Sequence, residues 1–550
     1  MMSLWQELAN NFYPERADFT VSRTWGHEYA AHLMTAAPVL ARRDLANQFA
    51  SMLRPRGKPW FKLSAQDEAV DDDVAASDWL EWATGVMRRA MEDPAAKFQR
   101  ATKEADHDFA TFGNAPIKVE FNQARNGMLY RACHLRDVAW AENADGDIEP
   151  VHQKWNVDAR SLDKMFRGNI SASTKQKMVK DPYHEVQCRQ IIIPADNYDL
   201  TGSGAKAPGG GRFPWVSIYI ECEGEHILEE RGLWDSPWVI PRWQTLSGNP
   251  YAFSPAAMIA VPDARMIQKV ALTMLEANEK AANPPMVAVR DALRSDIALY
   301  AGGVTIVDAE YDERLGEALR PLTQDMRGLS NGTEMLTRIE EAIKDAFYLN
   351  KINLPPMDGA AMTATEIRAR IEEYIRAALP LFEPIEHEYN AALCDKTFDA
   401  LKRANAFGSP DQMPDILRGA DVKFKFQSPL QEAVEKAEAQ TFQEMMTLTA
   451  GAMQIEPGLK DELDLRRSYR DAVRAIGSPA RWLLTDEQVA GNAEARQKQE
   501  KIAQMMAMVQ QGAGVAQSVG NAAESMGTAA QAVRQGFAPP PEQQLVTPPV

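Results

Sequence analysis

The chain has 550 residues, 45% of them hydrophobic and 25% charged, enough to bury a large core over several domains and too apolar for global disorder. Its formal net charge is −17, from 77 acidic against 60 basic side chains, the wrong sign for gripping duplex DNA by neutralising phosphates, although an acidic wall suits a conduit along which DNA must slide. No run of about eighteen apolar residues occurs, the start Met1-Met2-Ser3-Leu4-Trp5-Gln6-Glu7-Leu8 lacks the basic and apolar regions of a secretory signal, and Cys133, Cys188, Cys222 and Cys394 form no Cys-x-x-Cys pair. A soluble protein of a cytoplasm is expected, with buried thiols and neither a disulfide framework nor a structural zinc site.

Between residues 20 and 53, Leu33, Ala36, Val39, Leu40, Leu45, Phe49 and Leu53 recur at helical spacing and predict one or two helices. Arg54-Pro55-Arg56-Gly57-Lys58-Pro59 is a turn before an extended Trp60-Phe61-Lys62-Leu63. Helices return from about Ala75 to Phe112, with Ser77 or Asp78 able to cap and Trp79, Trp82, Val86 and Met87 on the inner face. From Phe112 to about Arg242 the pattern becomes short strand-like runs, Ile117 to Phe121, Leu129 to Cys133, Val186 to Ile193 and Trp215 to Ile220. The glycine-rich run Gly202 to Gly211 lies between two of these. Because Arg212-Phe213-Pro214-Trp215 leads into a strand and no Lys-Ser/Thr and helix follow, it reads as a hairpin loop and not a phosphate cradle.

Pro262-Asp263 is expected to open an amphipathic helix to Ala282, ended by Asn283-Pro284-Pro285. Short strand-like runs follow at Pro285 to Val289 and Gly303 to Val307, then Thr333-Glu334 is expected to cap a second helix with Leu336, Ile339, Ile343 and Phe347 on one face. Asn350 to Met362 has two prolines, a glycine and no helical period, and reads as a loop. Thr363-Ala364-Thr365-Glu366 is a capping box for a helix reaching Ala404, kinked by Pro380 and Pro384. More helices are expected at Leu430 to Gly451, Asp461 to Ile476 and Thr485 to Gln511, and from Gly512 the Ala/Gly/Gln/Ser-rich tail is expected to lack a packed core. The sum is a mixed α+β chain.

Catalytic prompts are few. The eight histidines form no His-Glu-x-x-His or His-x-x-x-His pair, so no metal is expected. Cys133-His134 are neighbours that a strand would point to opposite faces, and Gly328-Leu329-Ser330-Asn331-Gly332 follows polar Gln324-Asp325-Met326-Arg327 where a nucleophile elbow needs an apolar strand. Asp71-Asp72-Asp73 and Glu372-Glu373 read as solvated charge. No catalytic residue, cofactor or metal ligand is assigned, and an enzyme stays open only through Cys133-His134 and Ser330.

Several segments, in their order and spacing, resemble the head-to-tail connector (portal) family of short-tailed double-stranded DNA phages. They are Arg54 to Leu63, Phe112-Gly113-Asn114-Ala115, Ser254 to Asp263 continuing to Glu279-Lys280-Ala281-Ala282-Asn283-Pro284-Pro285, Met362 to Arg368, and Leu483 to Gln488. Asn249-Pro250-Tyr251-Ala252-Phe253-Ser254-Pro255 departs from the family's more usual Tyr-Gly-x-Ser/Gly-Pro form. The resemblance covers roughly Arg23 to Gln511 and implies a wing over residues 1–260, a first stem helix over 261–284 and a clip over 285–331. It further implies a second stem helix over 332–349, a channel loop over 350–362, a wing return with a long kinked helix over 363–480 and a helical crown over 481–535, while composition makes 536–550 a disordered proline-rich tail.

By the same resemblance the chain forms a homo-oligomeric ring, a dodecamer, at one capsid vertex of the virion, after assembly in the host cytoplasm and without membrane insertion. Its implied partners are the terminase large subunit, tail and adaptor proteins, capsid and scaffolding proteins, and double-stranded DNA passing non-specifically. Ile267, Ala271, Leu272, Met274, Leu275, Leu336, Ile339, Ile343 and Phe347 are the candidate ring interface. Asn350, Lys351, Ile352, Asn353, Leu354, Pro355, Pro356, Met357, Asp358 and Gly359 are the candidate channel loop. A virion adaptor or scaffolding protein without a DNA channel is the alternative.

Overall fold

The computed structural model describes residues 1–198, 212–288, 319–321, 327–352, 385–409, 413–426, 442–450, 468–473 and 486–511, apart from positions 23, 25, 27, 56–58, 68, 69, 71, 72, 420 and 471. In chain order the elements begin with α1 (Met2–Phe12), α2 (Ala37–Leu53), β1 (Phe61–Ala65), α3 (Val74–Glu92) and α4 (Phe98–Phe112). Strands β2 (Ile117–Phe121), β3 (Met128–Ala132), β4 (Val138–Glu142) and β5 (Ile148–Asp158) follow, then α5 (Ala159–Met165) and α6 (Ala172–Lys180). Next come β6 (Glu185–Pro194), β7 (Trp215–Glu221), β8 (His226–Leu233), β9 (Trp238–Val239), β10 (Gln244–Leu246) and β11 (Asn249–Phe253). The long helix α7 (Pro255–Ala282) leads to β12 (Met286–Ala288), β13 (Leu319–Pro321), α8 (Arg327–Ala346) and the single turn α9 (Leu349–Ile352). A π-helical turn, Glu386–Ala391, runs into α10 (Ala392–Arg403), and β14 (Val422–Phe426) and α11 (Asp486–Gln511) complete the order. The chain divides into two units, Met1–Gly477 and Ser478–Val550; in the second the described residues are those of α11.

In the first unit the main core gathers around α4. That helix buries Phe98, Ala101, Ala105, Phe109, Ala110 and Phe112, and also Asp106 and Asp108 on either side of a half-buried His107, three groups that its neighbours must satisfy. Asp106 is paired with Arg54 at the end of α2, whose other guanidinium nitrogen donates to Asn390 Oδ1 at 2.8 Å and whose plane lies 4.7 Å over the Tyr389 ring. His107 Nδ1 is 2.7 Å from an Arg42 nitrogen of α2, and Arg42 also donates to the Phe12 carbonyl at 3.1 Å and stacks on Tyr13. Asp108 takes a fork of two hydrogen bonds from Arg16, at 3.1 and 3.0 Å. Helix α4 ends at Gly113 (φ +76°), where any Cβ would stand 2.3 Å from the Phe253 carbonyl carbon, so only glycine lets the strand entering α7 pass that close.

Beside this core, β4 to β8 form a five-stranded antiparallel meander in sequential order. Helices α5 and α6 cover one face, closing a second core of Ala159, Leu162, Phe166, Ile170, Val186, Cys188 and Leu228. Strands β6 and β7 pair from Cys188↔Glu221 to Pro194↔Trp215, so the glycine-rich run between them is the connection of a hairpin, as its sequence suggests; residues 199–211 themselves lie outside the described ones. A three-stranded sheet, β3-β2-β9, lies under the main core, and β1 pairs with β14 in register Phe61↔Phe426 to Ala65↔Val422.

The strand runs read from sequence match β2, β3, β6 and β7 to within a residue or two, whereas β4, β5 and β8 carry more polar alternation and were not anticipated. Helix α1 is a further difference. Its Trp5, Leu8, Ala9 and Phe12 make an inward stripe, while Leu33 precedes α2 and belongs to no helix. Asp73, and not Ser77 or Asp78, caps α3 by accepting from the Ala76 N–H at 2.8 Å, and Trp82 faces solvent beside a buried Met87. The expected Thr363–Ala404 helix is described only from Ile385, and there it ends at Arg403; of the expected 430–451 and 461–476 helices, 442–450, 468–470 and 472–473 are described and helical.

Two outcomes follow from the α4 groups. Asp106→Ala leaves the Arg54 guanidinium buried and unpaired, and is expected to lower the unfolding free energy by about 3–5 kcal/mol, read from the urea midpoint. Burial and the neighbouring Arg42 push His107 down to about 4, below its usual 6.5. The stability gained by keeping it neutral is present above pH 6.5 and lost as pH falls towards 4. Asp108, pushed up to about 6 by burial against the pull of Arg16, acts in the opposite sense. His107→Gln should therefore lose less of its urea midpoint between pH 6.5 and 4.5 than the wild type.

Candidate functional site

The helix pair α7 and α8 and the ribbon between them are the most distinctive local structure. Ser254 starts α7: its hydroxyl accepts from the Ala257 N–H at 3.2 Å and donates to the Ala110 carbonyl of α4 at 2.7 Å. Asn114 fixes the same corner with two bonds to the Ala252 backbone, 2.8 and 2.9 Å long. The helix therefore opens at Pro255, seven residues before the expected Pro262, which sits inside it. The serine followed by proline at the first helical position was the legible signal, because the cap is satisfied and proline costs no donor there.

Helix α8 likewise starts earlier than the Thr333 cap, at Arg327, so Gly328-Leu329-Ser330-Asn331-Gly332 is helical and not a loop. At Gly332 a Cβ would stand 2.2 Å from Met274 Sδ, so the Met274 side chain of α7 packs directly onto the glycine of α8. Helix α8 ends at Ala346, three residues short of the expected Leu349, and after Tyr348 (φ +58°) the chain turns into α9. Strands β12 and β13 pair antiparallel, Met286↔Pro321 to Ala288↔Leu319; of the two strand runs expected in that insertion, Pro285 to Val289 matches β12, and Gly303 to Val307 lies outside the described residues.

The nine candidate interface residues separate into three environments. Ile267, Ile339, Ile343 and Phe347 are buried in the subunit's own core, Phe347 with its ring 5.4 Å from that of Phe12, which corrects their reading as a surface between subunits. Ala271, Met274 and Leu336 are half-buried, the latter two along the α7 and α8 seam. Leu272 and Leu275 are exposed. Ile259 and Met266 of the same helix are exposed too and were missed, because the helix was read as starting at Pro262 and Met266 was not singled out within it.

Of the candidate channel loop, Asn350, Lys351 and Ile352 belong to the turn α9, with Asn350 donating to Asp345, and so correct the loop's start; Asn353, Leu354, Pro355, Pro356, Met357, Asp358 and Gly359 lie outside the described residues. Cys133 and His134 are not arranged as nucleophile and base. Burial pushes the Cys133 thiol up to about 11, and His134 holds Asp18 at 2.8 Å through Nε2 and accepts the Arg136 N–H through Nδ1 at 3.1 Å. Among the described residues no group of His, Cys, Asp and Glu is placed to hold a metal, and no helix is long and apolar enough to cross a membrane.

A long helix hairpin capped by a small ribbon, anchored at its base and bearing exposed apolar flanks, is the build of a subunit of a larger assembly. The chain belongs to the family of bacteriophage head to tail connecting proteins, whose model matches residues 1–484. It is 24% identical over 527 residues to the "Probable portal protein" of Bordetella phage BPP-1, covering 94% of this chain and 92% of that protein. Against the "Portal protein" of Salmonella phage epsilon15 it is 24% identical over 490 residues, 87% of this chain and 85% of that protein. A chain of "Virion of native gene transfer agent (GTA) particle" aligns with a TM-score of 0.32 at 11% identity, over 80% of this chain and 94% of that one, too weak a likeness to bear on the fold.

The close approach at Gly332 can be measured. Gly332→Val forces Met274 out of the seam and is expected to cost about 1–3 kcal/mol of unfolding free energy, with part of that loss recovered in a Met274→Ala background in a double-mutant cycle.

Proposed function

We propose that the chain is the portal subunit of a short-tailed phage, assembling as a closed ring of twelve copies at one capsid vertex. Double-stranded DNA would enter through its channel during packaging and leave through it during ejection. The observation that carries this reading is the match of the connector family model to residues 1–484, supported by near full-length similarity to two proteins named as portals. The net charge of −17 supports a conduit that does not grip: attraction summed over many phosphates would hold the polymer, whereas an acidic wall lets it slide.

In this reading the terminase large subunit meets the 285–331 insertion during filling and supplies the ATP hydrolysis, and tail and adaptor proteins take its place afterwards. Capsid and scaffolding proteins surround the 1–260 wing. The segment that follows the α9 turn, 353–362, is the channel loop; with Lys351 of that turn as the nearest basic residue, it touches DNA through shape and weak phosphate contacts and reads no bases.

Mass measurement and negative-stain imaging of the purified chain test the ring: a multimer with a central hole is expected, and a monomer at all accessible concentrations overturns it. Deleting Pro355 to Ala361 is expected to leave rings and unfilled capsids intact while lowering the yield of filled particles, and normal yields of infectious particles would remove the channel role from this loop.

A further inference from the structure

The helical cover of the meander reverses the chain's charge. Over residues 159–180 stand Arg160, Lys164, Arg167, Lys175, Lys177 and Lys180 against Asp163 alone, an excess of five cations in a chain whose net charge is −17. All six cations are exposed; Lys177 is 2.5 Å from Glu223, and the other five have no ion pair among the described residues. Of the neighbouring carboxylates, Asp158 caps α5 by accepting the Ser161 N–H at 2.9 Å and Asp181 accepts the Tyr183 N–H at 3.0 Å, which leaves Asp163 and Glu185 against those five. The fold gathers the cations on one side. The Ala159 N–H donates to the His184 carbonyl at 2.9 Å and the Arg160 N–H to the Pro182 carbonyl at 3.2 Å, so the chain leaving α6 returns to the start of α5 and the two helices run antiparallel. Ala159, Leu162 and Thr174 are buried on their inner side, which turns Arg160, Lys164, Lys175 and Lys180 outward. In the turn between them Arg167 has φ +51°, a conformation that glycine or asparagine takes more readily, so the turn itself gives no reason for an arginine. The N-terminus of α6 is occupied by Glu221, which accepts from the Ser171 N–H at 3.0 Å and its hydroxyl at 2.6 Å, so an anion on this surface meets side chains and not the helix end.

We propose that the outer side of α5 and α6 binds duplex DNA through its phosphates, without reading bases, at a site made of other residues than the 353–362 loop. It rests on these charges and not on the ring reading. Distance settles the conflict with the acidic net charge: at about 0.15 M salt charges are screened beyond about 8 Å, so a duplex on this surface meets the five cations and little of the remaining acidic chain. The nine residues of α6 extend about 14 Å, along which a duplex offers about eight phosphates over both strands, enough to engage all five. An acidic protein fits less well. Met165 and Val179, the exposed large apolar side chains of these helices, lie at opposite ends of the antiparallel pair, where a protein interface needs a contiguous apolar centre. Tyr183, exposed just beyond α6, carries a hydroxyl that can donate to a phosphate.

The test is the fluorescence anisotropy of a labelled duplex of about 30 base pairs, titrated with the full chain at rising NaCl, beside a variant carrying Lys164→Ala, Lys175→Ala and Lys180→Ala. The logarithm of the wild-type affinity is expected to fall by about 4–5 per decade of salt, and the variant to bind roughly tenfold or more weakly at low salt with a fall of about 2. A control carrying Lys103→Ala, Lys402→Ala and Lys498→Ala loses the same charge from exposed positions on other helices and should match the wild type; unchanged urea midpoints check that both variants fold. No duplex binding by the wild type at low salt, or equal losses in the two variants, overturns the proposal. Polyglutamate bound more tightly than the duplex overturns the nucleic-acid assignment in favour of an acidic protein. Ring formation is read separately by mass, so each of these outcomes leaves the portal reading intact.

Discussion

The fold depends on α4 being held from three sides at once. Asp106, His107 and Asp108 are consecutive, so at about 100° per residue they span about 200°, more than half a turn, and a helix with one face on solvent would leave at least one of them wet. Here each meets an arginine from a different place: Arg54 from the end of α2, Arg42 from its middle, Arg16 from the segment after α1. Two buried carboxylates and a half-buried imidazole cost more than apolar groups unless every partner is present, so these contacts act less as added stability than as a condition that α1, α2 and the π-helical turn be correctly placed. Helix α7 is then tied to the far end of α4 through Ser254, Asn114 and Gly113, and the direction of the helix hairpin follows from the same strut.

That arrangement also explains what the amino-acid sequence conceals. Strands such as β2 and β6 were legible because one face is buried and the residues alternate, and α2 and α7 because apolar positions recur at 3.6. The run Asp106-His107-Asp108 has the look of solvated helix, and nothing local says that arginines 52, 65 and 92 positions away will meet it. The pairing of β1 with β14 is hidden for the same reason, since complementarity across a whole domain leaves no mark in a short window.

The candidate site was half visible. Periodicity finds the apolar stripe of each stem helix but cannot distinguish a stripe that faces the subunit's own core from one left for a neighbour. Ile339, Ile343 and Phe347 obey the same spacing rule as Leu272 and Leu275 and end in different environments, because α1 and α2 close over the base of the hairpin and do not reach its outer end. Gly332 shows the reverse case. It reads as a helix breaker, and its lack of a side chain is what lets α8 lie against Met274.

The β1 and β14 ribbon has a temporal consequence. Closing it joins residues separated by roughly 360 positions, a loop whose entropic cost is about 5 kcal/mol on a simple chain model, offset when Phe424 and Phe426 pack against Phe61 and Trp60. During synthesis the hairpin of α7 and α8 leaves the ribosome before Val422–Phe426 does. The scaffold beneath the hairpin therefore stays open until most of the chain has been translated, and a truncated product ending before β14 would carry the outer flanks of α7 on an unfinished base, with Phe61 and Leu63 lacking their partner strand.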